Sequence, residues 1–273
     1  MSDFLSDADF QRFRRLIYDE SGIHFSDTNR SILESRLKER LRSSPAESIS
    51  EYYNHIVGNE GELKGLLDSV TTNLTRFFRN TAHTQTFEYY VIPELIKMKG
   101  GTGTVRIWSA GCSTGEEPYT IAMLLTELLP PAMNYEIVAS DLSLKSLMTG
   151  QGGFYAESRM NGVPEKYLKR YFSEKTGGYQ IQDELRQHIR FDYHNLKNDS
   201  GLRNLDVVFC RNVLIYFDEA AQKAVVEKFW EALAPRSFLF IGHSESLFGM
   251  KTNFEFLRTD WACIYSKDTT KKP

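Results

Sequence analysis

The residues with the most chemical potential lie in one stretch, Val105 to Thr120, which reads VRIWSAGCSTGEEPYT. Gly111 and Gly115 bracket a short polar turn, and the carboxylates Glu116 and Glu117 follow at once. Glycines without a Cβ let a ligand lie directly against the peptide groups, and adjacent carboxylates repel a pyrophosphate. A phosphate-cradling loop needs Gly-Lys-Ser/Thr after its glycines, and a dinucleotide fingerprint needs Gly-x-Gly-x-x-Gly. The stretch has neither. A further acid, Asp141, stands after Tyr135 to Ser140 (YEIVAS), where a ribose diol would find an acceptor. A ligand with an adenosine half and a cationic half suits this set, and S-adenosylmethionine is such a ligand. The plainer alternative is that the glycines only make a tight turn and Asp141 caps the next helix.

These residues need elements to position them. Val105 to Trp108 is apolar enough for a strand covered on both faces. Ser113, three residues before Glu116, suits a capping box, Pro118 is tolerated in a first helical turn, and Tyr119 to Leu129 reads as an apolar helix. Strand, glycine turn and helix form the ligand-binding corner of a doubly wound α/β sheet. Leu205 to Phe209 (LDVVF) reads as a strand, with Cys210, Arg211 and Asn212 at its carboxyl end, where such sheets place their sites. A helix over Glu219 to Leu233, a strand over Ser237 to Ile241, and an antiparallel pair near Phe254 to Leu257 and Trp261 to Tyr265 complete the sheet.

Composition narrows the classes. At 273 residues, with 41% hydrophobic and 25% charged residues, the chain suits a soluble two-part protein with a sizeable core. A net charge of -3 argues against general binding of nucleic acid. No run of 18 apolar residues is present and the first residues lack a signal-peptide pattern, so a cytoplasmic protein is expected, without membrane insertion. Cys112, Cys210 and Cys263 are far apart, without CxxC or clustered histidines, which predicts reduced thiols and no metal site.

From Asp3 to about Thr71 the pattern is helical. Asp7 is a candidate cap for a helix with Phe10, Phe13, Leu16 and Ile17 on one face, closed by Ser21-Gly22-Ile23. Asp27 or Thr28 would cap the next helix, whose apolar face is Ile32, Leu33, Leu37 and Leu41. Its other face is basic, with Arg30, Arg36, Lys38, Arg40 and Arg42 against only Glu34 and Glu39. Taken alone, that is a solvated face with internal ion pairs. Two short helices, Ser50 to His55 and Glu62 to Val70, precede the polar block Thr71 to Arg79 and a helix over Thr81 to Lys99. The domain boundary is expected near residue 80, because a doubly wound sheet of this kind needs a helix before its first strand. Downstream lie a helix near Leu144 to Thr149, another over Pro164 to Tyr171, and alternating segments at Tyr179-Gln180-Ile181 and Ile189-Arg190-Phe191.

The chain resembles the chemotaxis receptor glutamate O-methyltransferases, the CheR family. Four blocks carry the likeness: TTNLTRFFR (Thr71 to Arg79), WSAGCSTGEEPYTIAM (Trp108 to Met123), ASDLS (Ala139 to Ser143) and FCRNVLIYFD (Phe209 to Asp218), with GHSESL (Gly242 to Leu247) as a fifth. The resemblance implies a small all-helical N-terminal docking domain with linker, residues 1–80. A class I S-adenosylmethionine-dependent methyltransferase would fill 81–273, a doubly wound α/β sheet with an antiparallel edge hairpin and an inserted β-subdomain at about 152–190. It implies methyl transfer to glutamate carboxylates of membrane chemoreceptors, giving methyl esters and S-adenosylhomocysteine for sensory adaptation. A carboxylate is already ionised at neutral pH, so no general base is required.

Residue by residue, the resemblance implies that Asn73, Thr75, Arg79, Glu117, Asp141, Asn195, Leu196, Cys210 and Arg211 bind the cofactor. Glu117 would face the cationic methionine end, Asn195 with Leu196 the adenine, and Cys210 would contribute backbone. Arg79 would orient the substrate carboxylate, with Tyr216 as its partner. It turns Arg36, Lys38, Arg40 and Arg42 into candidate docking residues for the acidic helical methylation region of the receptor. Some members capture a receptor peptide on a longer loop of the inserted region; here the turn Lys175-Thr176-Gly177-Gly178 is short, so tethering is expected to be absent. A monomer is expected. The competing readings are a nucleic-acid methyltransferase, opposed by CRNVLIYF where an Asp/Asn-Pro-Pro-Tyr/Phe motif would stand, a small-molecule or other acidic-protein methyltransferase, and a non-catalytic scaffold.

Overall fold

The computed structural model describes residues 4–270, so the ends of the expected spans, including Asp3, lie outside the described residues. Four helices come first: α1 (Asp7–Ser21), α2 (Arg30–Arg42), α3 (Ile49–Ile56) and α4 (Glu60–Val70). Ser6 caps α1 by accepting from the Asp9 amide, and Asp7 occupies the first turn instead. Gly22, at φ 77, closes that helix in the left-handed region, where a residue with a Cβ would be strained. Asp27 and Thr28 form a 3-10 turn, and α2 starts at Arg30 after it. Phe10, Phe13, Ile17, Leu33, Leu37, Tyr52, Ile56 and Leu66 close over one another as a core of their own.

The remaining chain builds the sheet. Helix α5 (Thr81–Thr86) runs through a wide π turn at Phe87–Val91 into α6 (Ile92–Met98). Then come β1 (Gly103–Ala110), α7 (Glu116–Leu128), β2 (Met133–Asp141) and α8 (Leu144–Gly152). The inserted region holds β3 (Phe154–Ala156), α9 (Glu165–Tyr171), β4 (Phe172–Lys175), β5 (Gly178–Ile181) and α10 (Asp183–Arg186). The chain returns through β6 (Ile189–Tyr193), β7 (Leu205–Cys210), α11 (Glu219–Ala232), β8 (Leu233–Ile241), β9 (Glu255–Arg258) and β10 (Cys263–Asp268).

Seven strands form the main sheet in the order β6-β2-β1-β7-β8-β10-β9, and β10 runs antiparallel to both its neighbours. Strands alternate between two cores because successive side chains point to opposite faces. Ile107 and Val207 pack with Phe87, Val91 and Met123, whereas Trp108 and Val208 pack with Val225 and Phe229 of α11. A second, antiparallel sheet of β3, β5 and β4 sits in the insertion. Ile189-Arg190-Phe191 is not part of it: β6 pairs in parallel with β2, so that segment is a strand of the main sheet. The strand order reverses between β1 and β7, and both strands end at Ala110 and Cys210 beside the same opening. An open α/β sheet binds its ligand at that crevice.

Candidate active site

Sharp turns set the floor of this opening. The amides of Gly111 and Cys112 both donate to the Ser140 carbonyl, at 2.8 and 2.9 Å, which folds the loop after β1 over the end of β2. Gly111 has φ 81, and a Cβ there would lie 2.4 Å from a Val213 methyl. Gly115, at φ 92, is the residue before α7, and the expected capping by Ser113 is not formed. Ser113 instead has φ 50 and its hydroxyl is buried without a partner. The loop's geometry therefore comes from close backbone approach, which side-chain capping would not produce.

Asp141 faces this loop. Its two carboxylate oxygens accept the Ser113 and Ser143 amides, each at 2.8 Å. Burial pushes the carboxyl's pKa up, and the amide donors pull it back. Asp68 of α4 reaches across to the Ser143 hydroxyl and the Lys145 amide, so the helical layer braces the start of α8. Asn73 lies within 3.5 Å of the same Ser143 hydroxyl.

At the other end, a charged cluster joins three segments. Arg211, at the end of β7, donates to Glu117 of α7 at 3.1 Å, to His83 Nδ1 of α5 at 3.1 Å, and to the Arg79 carbonyl. Glu117 also accepts the Ser109 hydroxyl at 2.7 Å. His83 is pushed down to about 4 by burial first, then by Arg211 and His243, so its ring is neutral and free to accept from Arg211. Arg79 donates to the Leu74 carbonyl at 2.8 Å, and among the described residues no carboxylate pairs with it. Phe78 at φ 51 and Asn80 at φ 64 flank it. With Ser113 and Asn212, they place four of the five positive-φ non-glycine residues of the described chain at or beside this opening. Such strain persists only where surrounding contacts hold it: Phe77 is buried against Tyr155 and Phe172, and Thr120 accepts the Phe78 amide at 3.1 Å.

The helical domain supplies the roof. Ser21, Ile23, Val70 and Thr71 line the cleft, and Ile23 bridges Phe217 in a short antiparallel contact. His24 donates its amide to the Tyr216 carbonyl at 2.8 Å. Glu245 of the GHSESL block accepts amides from Asn212 at 2.9 Å and Ile215 at 3.2 Å, fixing the loop that carries Tyr216. The cleft opens to solvent at its mouth.

Asn73, Thr75, Arg79, Glu117, Asp141, Asn195, Leu196, Arg211 and Tyr216 all line this one cleft. Cys210 is wholly buried beneath it and contributes no lining atom, and burial pushes its thiol pKa up, which removes it as a nucleophile. Asn195 departs from expectation in its side chain. Its amide donates to the Glu20 carbonyl at 2.6 Å and accepts the Lys197 amide at 3.0 Å, so it ties β6 to the end of α1. None of the four basic candidates on α2 lines the cleft, and they differ among themselves. Arg40 turns inward to Glu62 at 2.6 Å, a carboxylate shared with the Tyr52 hydroxyl, so it ties α2 to α4. Arg36 lies 3.7 Å from Glu39, Lys38 contacts Glu34, and Arg42 is exposed with no ion-pair partner among the described residues. The sequence reading missed His83, Ser113 and His194, because nothing in their spacing shows which polar atoms end up buried.

The cleft suits an adenosyl ligand. Ser113 and His194 both line it, beside the carboxylate of Asp141. Asp141 stands between His194 and the Glu117–Arg211 cluster, in the order of strands β6, β2, β1 and β7. Seven strands in this order, one of them reversed, around such a cleft define a class I S-adenosylmethionine-dependent methyltransferase. The model of the CheR methyltransferase S-adenosylmethionine-binding domain matches residues 73–263, and that of the CheR methyltransferase all-alpha domain matches residues 8–71. A chemotaxis protein methyltransferase 2 of Vibrio cholerae is 35% identical over 93% of this chain and 91% of its own length. The Escherichia coli chemotaxis protein methyltransferase is 35% identical over 97% and 93%. A Pseudomonas aeruginosa chemotaxis protein methyltransferase 2 is 37% identical over 87% and 86%. The chain belongs to the CheR methyltransferase family.

Proposed function

We propose that this enzyme transfers a methyl group from S-adenosylmethionine to glutamate side chains of chemoreceptors, as an adaptation step in chemotaxis. The observation that carries the reading is Arg79, a guanidinium without a carboxylate partner in the wall of the cleft that also holds Glu117 and Asp141. Two arginines, Arg79 and Arg211, stand against one carboxylate, Glu117, so this end of the cleft attracts an anionic acceptor. Bound there, the cofactor supplies an activated methyl on a sulfonium. The protein's own groups then orient and desolvate. Arg79 would hold the glutamate carboxylate in a fork, Tyr216 would stand beside it as hydrogen-bond donor, and the roof from residues 21–23 and 70–75 would keep water out. Asn73, Thr75, Asp141, Leu196 and Arg211 would hold the cofactor, with Asn195 and Cys210 supporting it through the backbone around them.

The reading extends to the partner. Arg36, Lys38 and Arg42 would meet the acidic helical methylation region of a receptor, and Arg40 would keep α2 in place behind them. Residues 1–80 would act as the docking domain and 81–273 as the catalytic domain, in a cytoplasmic monomer that needs neither metal nor nucleic acid. Among the described residues no helix is long and apolar enough to cross a membrane. The short turn between β4 and β5 supports action without a tethering peptide.

The test is incubation with methyl-labelled S-adenosylmethionine and membranes containing chemoreceptors, followed by mild base. Label released as methanol from a receptor-sized band, and lost in Arg79→Ala, is the expected result. Cofactor binding with no labelled receptor would overturn the substrate assignment and leave the small-molecule methyltransferase reading in its place.

A further inference from the structure

The backbone that carries Arg79 is strained on both sides of that residue, with φ 51 at Phe78 and φ 64 at Asn80. A bulky aromatic residue at positive φ is an outlier, because its Cβ crowds the carbonyl that follows. Left to itself, Phe78 would return to negative φ, turn the next peptide and carry the Arg79 side chain away from the cleft wall. Contacts on either side oppose this. The Phe78 amide donates to Thr120 Oγ1 of α7 at 3.1 Å, and the Arg79 carbonyl accepts from Arg211 at the end of β7. The inserted region holds the rings, with Phe77 edge-on to Tyr155 and Phe172 and Phe78 4.9 Å from Tyr167. Those rings fix side chains; Thr120 holds the Phe78 peptide itself.

Thr120 is prepared for that contact. It is buried one helical turn after Glu116 and Glu117, on the helix that presents Glu117 to Arg211. A threonine hydroxyl has one hydrogen to give and two lone pairs to offer. Its hydrogen is committed to the Glu116 carbonyl at 2.7 Å, so a lone pair is what the Phe78 amide meets. Back-bonding of this kind commonly just satisfies a hydroxyl within its own helix. Here the oxygen also takes a donor from a segment 42 residues earlier in the chain. The helix of the Glu117–Arg211 pair and the strained backbone of Arg79 are thereby joined through one atom.

We propose that Thr120 is a positioning residue for methyl transfer: its hydroxyl pins the strained Phe78 peptide to α7 and so aims the Arg79 guanidinium at the acceptor carboxylate. The inference rests on the assignment of Arg79 as the group that holds that carboxylate. Thr120 does not line the cleft and touches neither reactant. Its loss is felt as geometry, since a misplacement of about 1 Å can lower a rate about 100-fold. Receptor docking on the exposed face of α2 is left intact.

The experiment compares the unmodified full chain with Thr120→Val, Thr120→Ser and Arg79→Ala, using methyl-labelled S-adenosylmethionine, chemoreceptor-containing membranes over a range of concentrations, and methanol release. Valine keeps nearly the volume of threonine and removes the hydroxyl, whereas serine keeps the hydroxyl. Thr120→Val should lower kcat about tenfold or more, while the receptor KM and the calorimetric affinity for S-adenosylhomocysteine stay within about threefold. Thr120→Ser should recover most of the lost rate. Hydrogen exchange without ligand gives a reading independent of activity: the Phe78 amide should be protected in the unmodified chain and in Thr120→Ser, and exchange freely in Thr120→Val. A merely structural role would lower kcat and cofactor affinity together, or leave serine no better than valine, and either result would overturn the inference. An unprotected Phe78 amide in the unmodified chain would do the same. An inactive Arg79→Ala beside a fully active Thr120→Val sinks the positioning role alone; a fully active Arg79→Ala sinks the carboxylate assignment and this inference with it.

Discussion

Lowering the pH should destabilise this protein through one side chain, His83. The ring is 5% exposed, accepts the Arg211 Nε–H at 3.1 Å, and titrates at about 4 where a free histidine titrates near 6.5. Between those values the unfolded chain binds a proton that the folded chain refuses, so stability rises with pH across that window and falls as pH drops through it. Integrating the two titrations from about pH 7.5 to about pH 5.0 gives a loss of about 2 kcal/mol, which is a large part of the stability of a domain. His83→Asn offers Arg211 a similarly placed acceptor that does not titrate. Urea unfolding at both pH values, for the unmodified chain and for His83→Asn, isolates the histidine because every other titrating group is shared. The unmodified chain should lose about 2 kcal/mol more than the variant on acidification. Parallel losses in the two proteins would refute the buried neutral imidazole, and with it the account of how Arg211 is held.

Three further outcomes follow from contacts described above. Gly111→Ala places a Cβ 2.4 Å from a Val213 methyl at φ 81, and should cost about 2 kcal/mol or more in thermal unfolding while weakening S-adenosylhomocysteine binding. Arg159→Ala strips the wholly buried Glu116 of its cationic partner and leaves it the Thr114 hydroxyl; because Arg159 is itself 39% exposed, the loss should fall near the low end for broken buried pairs, about 3 kcal/mol by urea unfolding. Arg42→Glu reverses an exposed charge outside the cleft, so it should lower the initial rate of receptor methylation several-fold at low salt and much less at high salt, with S-adenosylhomocysteine affinity unchanged by calorimetry.

What the sequence disclosed follows the range of the forces involved. The corner from Val105 to Thr120, the strand before Asp141 and the strand from Leu205 carry their signal in adjacent residues, and each forms as read except for the Ser113 cap. Ile189-Arg190-Phe191 was legible as a strand but its partner was not, since pairing with β2 joins residues that are distant in the chain. Ser113 has the spacing of a cap, yet the backbone approach between Gly111 and Ser140 draws it into the left-handed region. The basic face of α2 could be read as charge, but Arg40 is distinguished from Arg42 only by Glu62, which a second helix brings alongside. The unpartnered Ser113 Oγ and His194 Nε2 become visible only once every neighbour is in place.

The short bridge between Ile23 and Phe217 bears on how the protein is made. A ribosome releases the first 25 residues long before the segment they rest on, and the cleft has no roof until both are present. The helical core can gather early, because its contacts are close in sequence. The cleft, by contrast, closes only when nearly the whole chain has emerged, through His24 on Tyr216, Asn195 on Glu20 and Gly22 against the Phe217 ring. The roof of the cleft is therefore a late-formed part of the molecule. A truncated or stalled chain that ends before residue 217 keeps the Asn195–Glu20 tie but loses the contacts of Phe217 with Gly22 and Ile23, and cellular cofactor would stabilise finished molecules over partial ones by mass action.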